Sequence, residues 1–272
     1  MNNAFKKNYD ELVFSDDFMF CTVMEDYPDI CKEVIEILIG DQIGEINVIT
    51  PQKSLANTLD AKSVRLDVMV EACDGTVYDV EMQTTDEKNI GKRSRYYQSV
   101  IDGKCLSRGE EYNKLPKSII VFICKFDPFD KGKDVYTFKM KEVEDPSIDL
   151  NSEVALVVAC ADGNIKDTKG LGEFLNFVSS NKSTGTLTAK IAAAVENSKL
   201  NSERRHAYMT FMHYLKREKA EGREEGREEG REEERKETLA SLKQMIKSGV
   251  NVKCIADAFN LTDEELRYIT AD

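Results

Sequence analysis

The sequence predicts an α/β or α+β fold with a mixed central sheet, because its hydrophobic period changes from helical to two and back again. Helical spacing fills the first 40 residues, six short alternating segments follow from residue 45, and a basic helical segment separates the third from the fourth. Helical spacing returns from residue 170. At 272 residues and 41% hydrophobic, the chain can bury the core of one domain and still carry an appendage.

The elements follow in order. Pro28 suits a helix start, Cys31, Val34, Ile35, Leu38 and Ile39 form one helical face, and Gly40 closes it. The period-two segments run Glu45 to Thr50, Val64 to Ala72, Val77 to Gln83, Lys117 to Lys125, Val135 to Met140 and Val154 to Cys160. Residues 170–180 and 187–219 read as helices. Gly-Arg-Glu-Glu then occurs three times, from Gly222, Gly226 and Gly230. Pairs such as Glu224 with Arg227 favour a helix, each glycine opposes it, and no apolar seam supports a coiled coil. A solvated helical spacer is expected. Leu239 to Ile246, Val252 to Phe259 and the capping sequence Thr262 to Glu265 predict a small helical tail. Its last two helices carry few cations, which favours packing or a protein contact over DNA reading. The expected divisions are a globular domain over 1–200, a charged linker over 201–237 and a helical tail over 238–272.

Composition removes several function classes. Thirty-eight basic against 50 acidic residues leave a net charge of −12, so the chain does not coat nucleic acid non-specifically. Seven cysteines without a C-x-x-C fit a reduced cytoplasmic setting better than disulfides or zinc, and two histidines leave little for triad chemistry. The longest apolar run, Ile119 to Cys124, is too short to span a membrane, and Met1 to Asn8 has no apolar run for a secretory signal. There is no phosphate-binding glycine loop and no dinucleotide-binding glycine pattern. One basic patch stands out. Residues 91–109 hold Lys92, Arg93, Arg95, Lys104 and Arg108 against the single anion Asp102, a local balance of +4.

The hairpin formed by the second and third alternating segments has one self-consistent register. A two-residue Asp74-Gly75 turn sets Asp67 opposite Met82 and mixes the faces. A three-residue loop, Cys73-Asp74-Gly75, with Gly75 left-handed, pairs Leu66 with Met82, Val68 with Val80 and Val70 with Tyr78. On the other face Asp67 then opposes Glu81, Arg65 opposes Gln83 and Met69 opposes Asp79. Directly opposed carboxylates repel at a Cβ separation of about 5 Å, and a hard divalent cation such as Mg²⁺ or Mn²⁺ relieves them. The plainer reading, an acidic face turned to water, is the one that pattern alone favours. On an ideal helix Arg93, Tyr97, Lys104 and Arg108 fall within about 60°, a stripe suited to phosphates, while Val100, Ile101 and Leu106 can face the sheet.

Arg65-Leu-Asp67, followed by Glu81-Met-Gln83, resembles the Asp…(Asp/Glu)-x-Lys signature of the PD-(D/E)XK nucleases, with Gln in the last place. Asp16-Asp17-Phe-Met-Phe, Tyr78 to Gln83, Lys92-Arg-Ser-Arg-Tyr-Tyr-Gln98, Asp127-Pro-Phe-Asp130 and the Glu/Arg/Gly-rich tail resemble, more narrowly, the Rpn family of recombination-promoting nucleases and transposases. The resemblance implies a restriction-endonuclease-like core with a mixed sheet flanked by helices, and Mg²⁺- or Mn²⁺-dependent hydrolysis of DNA. It implies that Asp67 and Glu81 hold the metal, that Gln83 takes the third motif position, and that Asp17, with Glu25 competing, is the acid from the first helix. Arg93, Arg95, Tyr97, Lys104 and Arg108 are then the expected DNA contacts. The Gln in place of Lys and the net acidity favour an alternative, a catalytically weak binding or assembly module that oligomerises through the C-terminal helices.

Overall fold

The computed structural model of the chain describes residues 7–55, 64–162, 164–167 and 170–271; residues 1–6, part of the stretch read for a secretory signal, lie outside the described residues. The chain divides into two compact units, Met1–Tyr208 and Met209–Asp272.

In the first unit the described residues form one six-stranded sheet in the order β1-β2-β3-β4-β6-β5. The strands are β1 (Ile46–Leu55), β2 (Val64–Ala72), β3 (Val77–Gln83), β4 (Ser118–Cys124), β5 (Val135–Lys139) and β6 (Val154–Cys160). The sheet is mixed, as expected: β3, β4 and β6 run parallel, while β1–β2, β2–β3 and β5–β6 are antiparallel. The first strand was expected to stop at Thr50, before Pro51. It continues to Leu55, because β1 is an edge strand and the missing proline N–H costs no ladder bond on its open side.

Parallel β3 and β4 require a crossover, and the basic segment supplies it as helix α3 (Ile90–Cys105). Its Ile90, Tyr97, Val100 and Ile101 pack on Ile120, Phe122, Cys124, Val158 and Cys160 from one face of the sheet. The intervening residues of β4 are also buried, which is why that strand reads as an unbroken apolar run. Helices α1 (Asp17–Asp26), α2 (Pro28–Ile39), α4 (Gly170–Ser180) and α5 (Thr186–Leu200) cover the opposite side. Phe14, Phe20, Phe174 and Phe177 form an aromatic cluster among them. In α2, Pro28 occupies the first turn and Gly40 caps the end at φ 72°, as the sequence indicates.

The long helical stretch predicted from residue 187 breaks at Asn201, whose side chain accepts the Glu203 and Arg204 amides at 2.9 and 3.2 Å and starts α6 (Ser202–Lys247). The first turns of α6 belong to the first unit: Arg204 pairs with Glu25 and Asp26, and the Tyr208 hydroxyl donates to the Lys7 carbonyl. Covering both faces has one large consequence. Every residue from Leu66 to Val70 and from Val77 to Met82 is buried, so the hairpin does not show an acidic face to water.

In the second unit α6 continues through the Gly-Arg-Glu-Glu repeats as helix, and a small core forms beyond them. Leu239, Leu242, Ile255 and Ile269 are buried together, with α7 (Val252–Phe259) and α8 (Asp263–Thr270) supplying the last two. Thr262 and Glu265 complete the capping box at the start of α8. The repeat pairs only partly as the spacing suggests: Glu224 holds Arg227, but Arg235 turns to Glu265 of α8 at 2.6 Å.

Candidate active site

The β2–β3 hairpin adopts the predicted register. Glu71, Val70, Met69 and Val68 pair with Val77, Tyr78, Asp79 and Val80, and Gly75 closes the loop at φ 85°. Beyond Val68 and Val80 side chains take over. The Met82 amide donates to Asp67 Oδ2 at 3.0 Å, and the Asp67 amide donates to Glu81 Oε1 at 2.9 Å. Each carboxylate thus satisfies a backbone amide of the opposite strand, and the two acids lie in the same few ångströms.

Gln83 and α3 surround them. Arg93 donates to Glu81 Oε2 at 2.8 Å, to Gln83 Oε1 at 2.7 Å and, through Nε, to the Tyr97 hydroxyl at 2.7 Å. Its guanidinium lies over the rings of Tyr97 and Phe122, 5.1 and 5.7 Å from their centres. Gln83 Nε2 leans toward Glu81 Oε2 at 3.4 Å. Asp17, at the first turn of α1, accepts from Arg65 at 2.9 Å, and the Cys21 thiol one turn later lies 3.3 Å from the Asp67 carbonyl oxygen. The neighbouring acid Asp16 is engaged locally, accepting from the Val13 amide and from Lys7.

The structure therefore brings Asp17, Asp67, Glu81, Gln83, Arg93 and Tyr97 together. It separates the others. Glu25, the competitor of Asp17, pairs with Arg204 at 2.7 Å instead. The expected cationic stripe is not continuous: Arg93 and Tyr97 turn inward, Arg95 and Lys104 are exposed, and α3 ends at Cys105. Arg108 lies in the loop beyond the helix and Leu106 is its C-cap, so neither extends a face of α3. Arg65, paired on paper with Gln83, reaches Asp17.

One residue escaped the sequence reading. Asp79 is fully buried on the same face as Glu81, and neither of its carboxylate oxygens has a hydrogen-bond partner among the described residues. The available signal was the apolar run Ile119 to Cys124, which pairs with β3 and implies that both faces of that strand are covered.

The electrostatics follow from burial. Exclusion from water raises the Asp67 carboxyl well above its usual range, and the charges of Glu81 and Asp17 raise it further. Burial, and then Asp79, push Glu81 up to about 8 against the pull of the Asp67 amide and Arg93. Asp79 is raised by burial and then by Asp67. Among the described residues no three His, Cys, Asp or Glu side chains already converge as a cation cage. The donor set nonetheless fits a hard divalent ion. It consists of carboxylate oxygens alone, those of Asp79 are unpartnered, and burial, with mutual repulsion second, raises carboxyls that a dication would let ionise.

A mixed sheet whose antiparallel hairpin carries opposed acids and continues through a crossover helix into a parallel strand defines a restriction-endonuclease-like α/β fold. Residues 17–157 match the model of the PD-(D/E)XK nuclease family transposases, more than half of the 272-residue chain, and the chain belongs to that family. No curated protein and no solved structure matches it.

Proposed function

We propose that the chain is a divalent-metal-dependent DNA endonuclease that hydrolyses phosphodiester bonds, with its chemistry in the first unit. The observation that carries this reading is the reciprocal latch in which Asp67 and Glu81 each accept the backbone amide of the opposing strand, holding two carboxylates at one buried point. Hydrolysis forms a bond from a water oxygen to phosphorus and breaks the P–O3′ bond. The proton lost by the water ends on the departing 3′ oxygen. Asp67 and Glu81 would hold Mg²⁺ or Mn²⁺, with Asp17 the acid contributed by α1. When bound, such an ion supplies Lewis acidity, lowering the pKa of water and offsetting the charge of the phosphate. The chain's own groups do the rest. Gln83, a neutral amide, hydrogen-bonds but cannot remove a proton at neutral pH. The exposed cations Arg95, Lys104 and Arg108 meet the substrate backbone outside the buried centre.

The test is cleavage of plasmid and linear DNA across divalent ions. Asp67→Ala and Glu81→Ala each lower the rate by on the order of 100- to 1,000-fold, the scale of losing a preorganised charge-stabilising group. Undiminished cutting by both variants removes the assignment. A second reading has its own observation: Glu81 Oε2 is already taken by Arg93 and the third motif position lacks its lysine. A weakly active or inactive assembly module has that appearance. Absence of Mg²⁺ and Mn²⁺ binding by calorimetry at millimolar concentration favours it, as does a loss of oligomeric mass on truncation near residue 219.

A further inference from the structure

Gln83 stands where the related signature has lysine, and the structure shows what lies against it. Arg93 Nη1 is 2.7 Å from Gln83 Oε1, while its Nη2 is 2.8 Å from Glu81 Oε2. Arginine carries only donors, so the Gln83 atom facing it must be the carbonyl oxygen. The amide nitrogen is thereby turned the other way. One of its N–H groups leans on Glu81 at 3.4 Å, and the other has no protein partner among the described residues. Arg93 is itself held on three sides. Nε is spent on Tyr97, and the guanidinium rests over the rings of Tyr97 and Phe122. Its side chain is only 24% exposed, too committed to follow a nucleic-acid backbone.

We infer that Arg93 restores, from α3, the positive charge that the third motif position lacks on β3, and that it polarises Gln83 into a fixed hydrogen-bond donor toward the attacked phosphate or water. This deepens the nuclease reading and rests on it. Arg93 is a positioning residue, because it acts through Gln83 and Glu81, and Gln83 is the group that touches the reacting atoms. The arrangement differs chemically from a motif lysine. A lysine can exchange a proton with the attacking water, whereas an arginine stays charged and an amide pinned through its oxygen only donates. Gln83 then stabilises developing negative charge rather than acting as a base.

The experiment uses the full-length chain, a defined DNA duplex and Mg²⁺ or Mn²⁺, with kcat and KM measured separately. Arg93→Ala loses about 100-fold in kcat, the cost of removing one preorganised donor arrangement, with little change in KM. Millimolar guanidinium added back restores part of that loss in Arg93→Ala and none in Glu81→Ala. Gln83→Glu keeps a partner for Arg93 but has no donor, and falls by a similar factor. Thermal unfolding supplies a readout independent of activity. Arg93→Gln lowers Tm in the wild-type background and has a smaller effect beside Glu81→Gln, because the carboxyl oxygen that Arg93 binds has been altered. Arg93→Ala with wild-type kcat and raised KM makes Arg93 a phosphate contact and overturns this inference alone. So does Gln83→Glu at wild-type rate, or Arg93 and Glu81 effects on Tm that simply add. A wild-type chain that cuts neither DNA nor RNA overturns the nuclease reading, and the donor role of Gln83 with it.

Discussion

The β2–β3 hairpin and the Gly-Arg-Glu-Glu stretch of α6 both concentrate acids and arginines, yet they use them in opposite ways. In the hairpin Asp67, Asp79 and Glu81 are 8%, 0% and 0% exposed, so each charge is set by its neighbours. Along the repeat Glu224, Glu228 and Arg231 stand in solvent, where each charge is set by water and salt. Burial, not residue type, separates the candidate site from the solvated helix.

The same substitution placed in both regions tests this most severely. Glu81→Lys sets a second cation beside Arg93 in a buried site and costs about 3–5 kcal/mol, while Glu228→Lys changes stability by no more than about 0.5 kcal/mol. Denaturant midpoints followed by a tertiary-packing signal give the contrast, and equal effects would erase the distinction drawn between the regions.

A comparable effect, spread over several pH units, is expected from pH. The Glu81 carboxyl sits at about 8 in the folded chain against a usual 4.5, so across that window the folded chain keeps a proton that the unfolded chain has released. Its contribution is complete below the lower value and is lost as pH rises through the upper one, at up to about 1.4 kcal/mol per pH unit. In chelator, stability should therefore fall over that range. Glu81→Gln should flatten the fall, and an unchanged slope would show that Glu81 is not its source.

Within the repeat the expected changes are slighter. Gly226→Ala meets open space and gains about 1 kcal/mol of local helix stability, visible as slower amide exchange in that segment and nowhere in the hairpin. Smallest of all, Arg227→Ala removes the pair with Glu224 and costs a few tenths of a kcal/mol at low salt, less as salt rises.

How much of this was legible depends on the range of the interaction. The hairpin register could be read because alternation and one glycine-closed loop are local constraints, and a slip of one residue would expose the whole apolar set of β2. The opposition of Asp67 and Glu81 followed directly from it. The fate of the basic segment could not be read, because helical spacing assigns angles but not where the helix ends or which side meets the sheet. Arg93 and Tyr97 were grouped with Lys104 and Arg108 as a substrate-facing stripe, and α3 instead stops at Cys105 with Arg93 turned inward. Asp79 looked like an ordinary outward acid until β4 and α3 closed over it.

The chain's own pattern determined the strands, the turn and the pairing of the two acids, since these depend on residues close in sequence and on the fixed geometry of a β-ribbon. Tertiary structure alone decided which helical acid approaches them, Asp17 and not Glu25, which arginine meets Glu81, and that Asp67, Asp79 and Glu81 are shielded from water. Those outcomes depend on how separate elements stack, and the cost of burying a charge is felt only once the layers are in place.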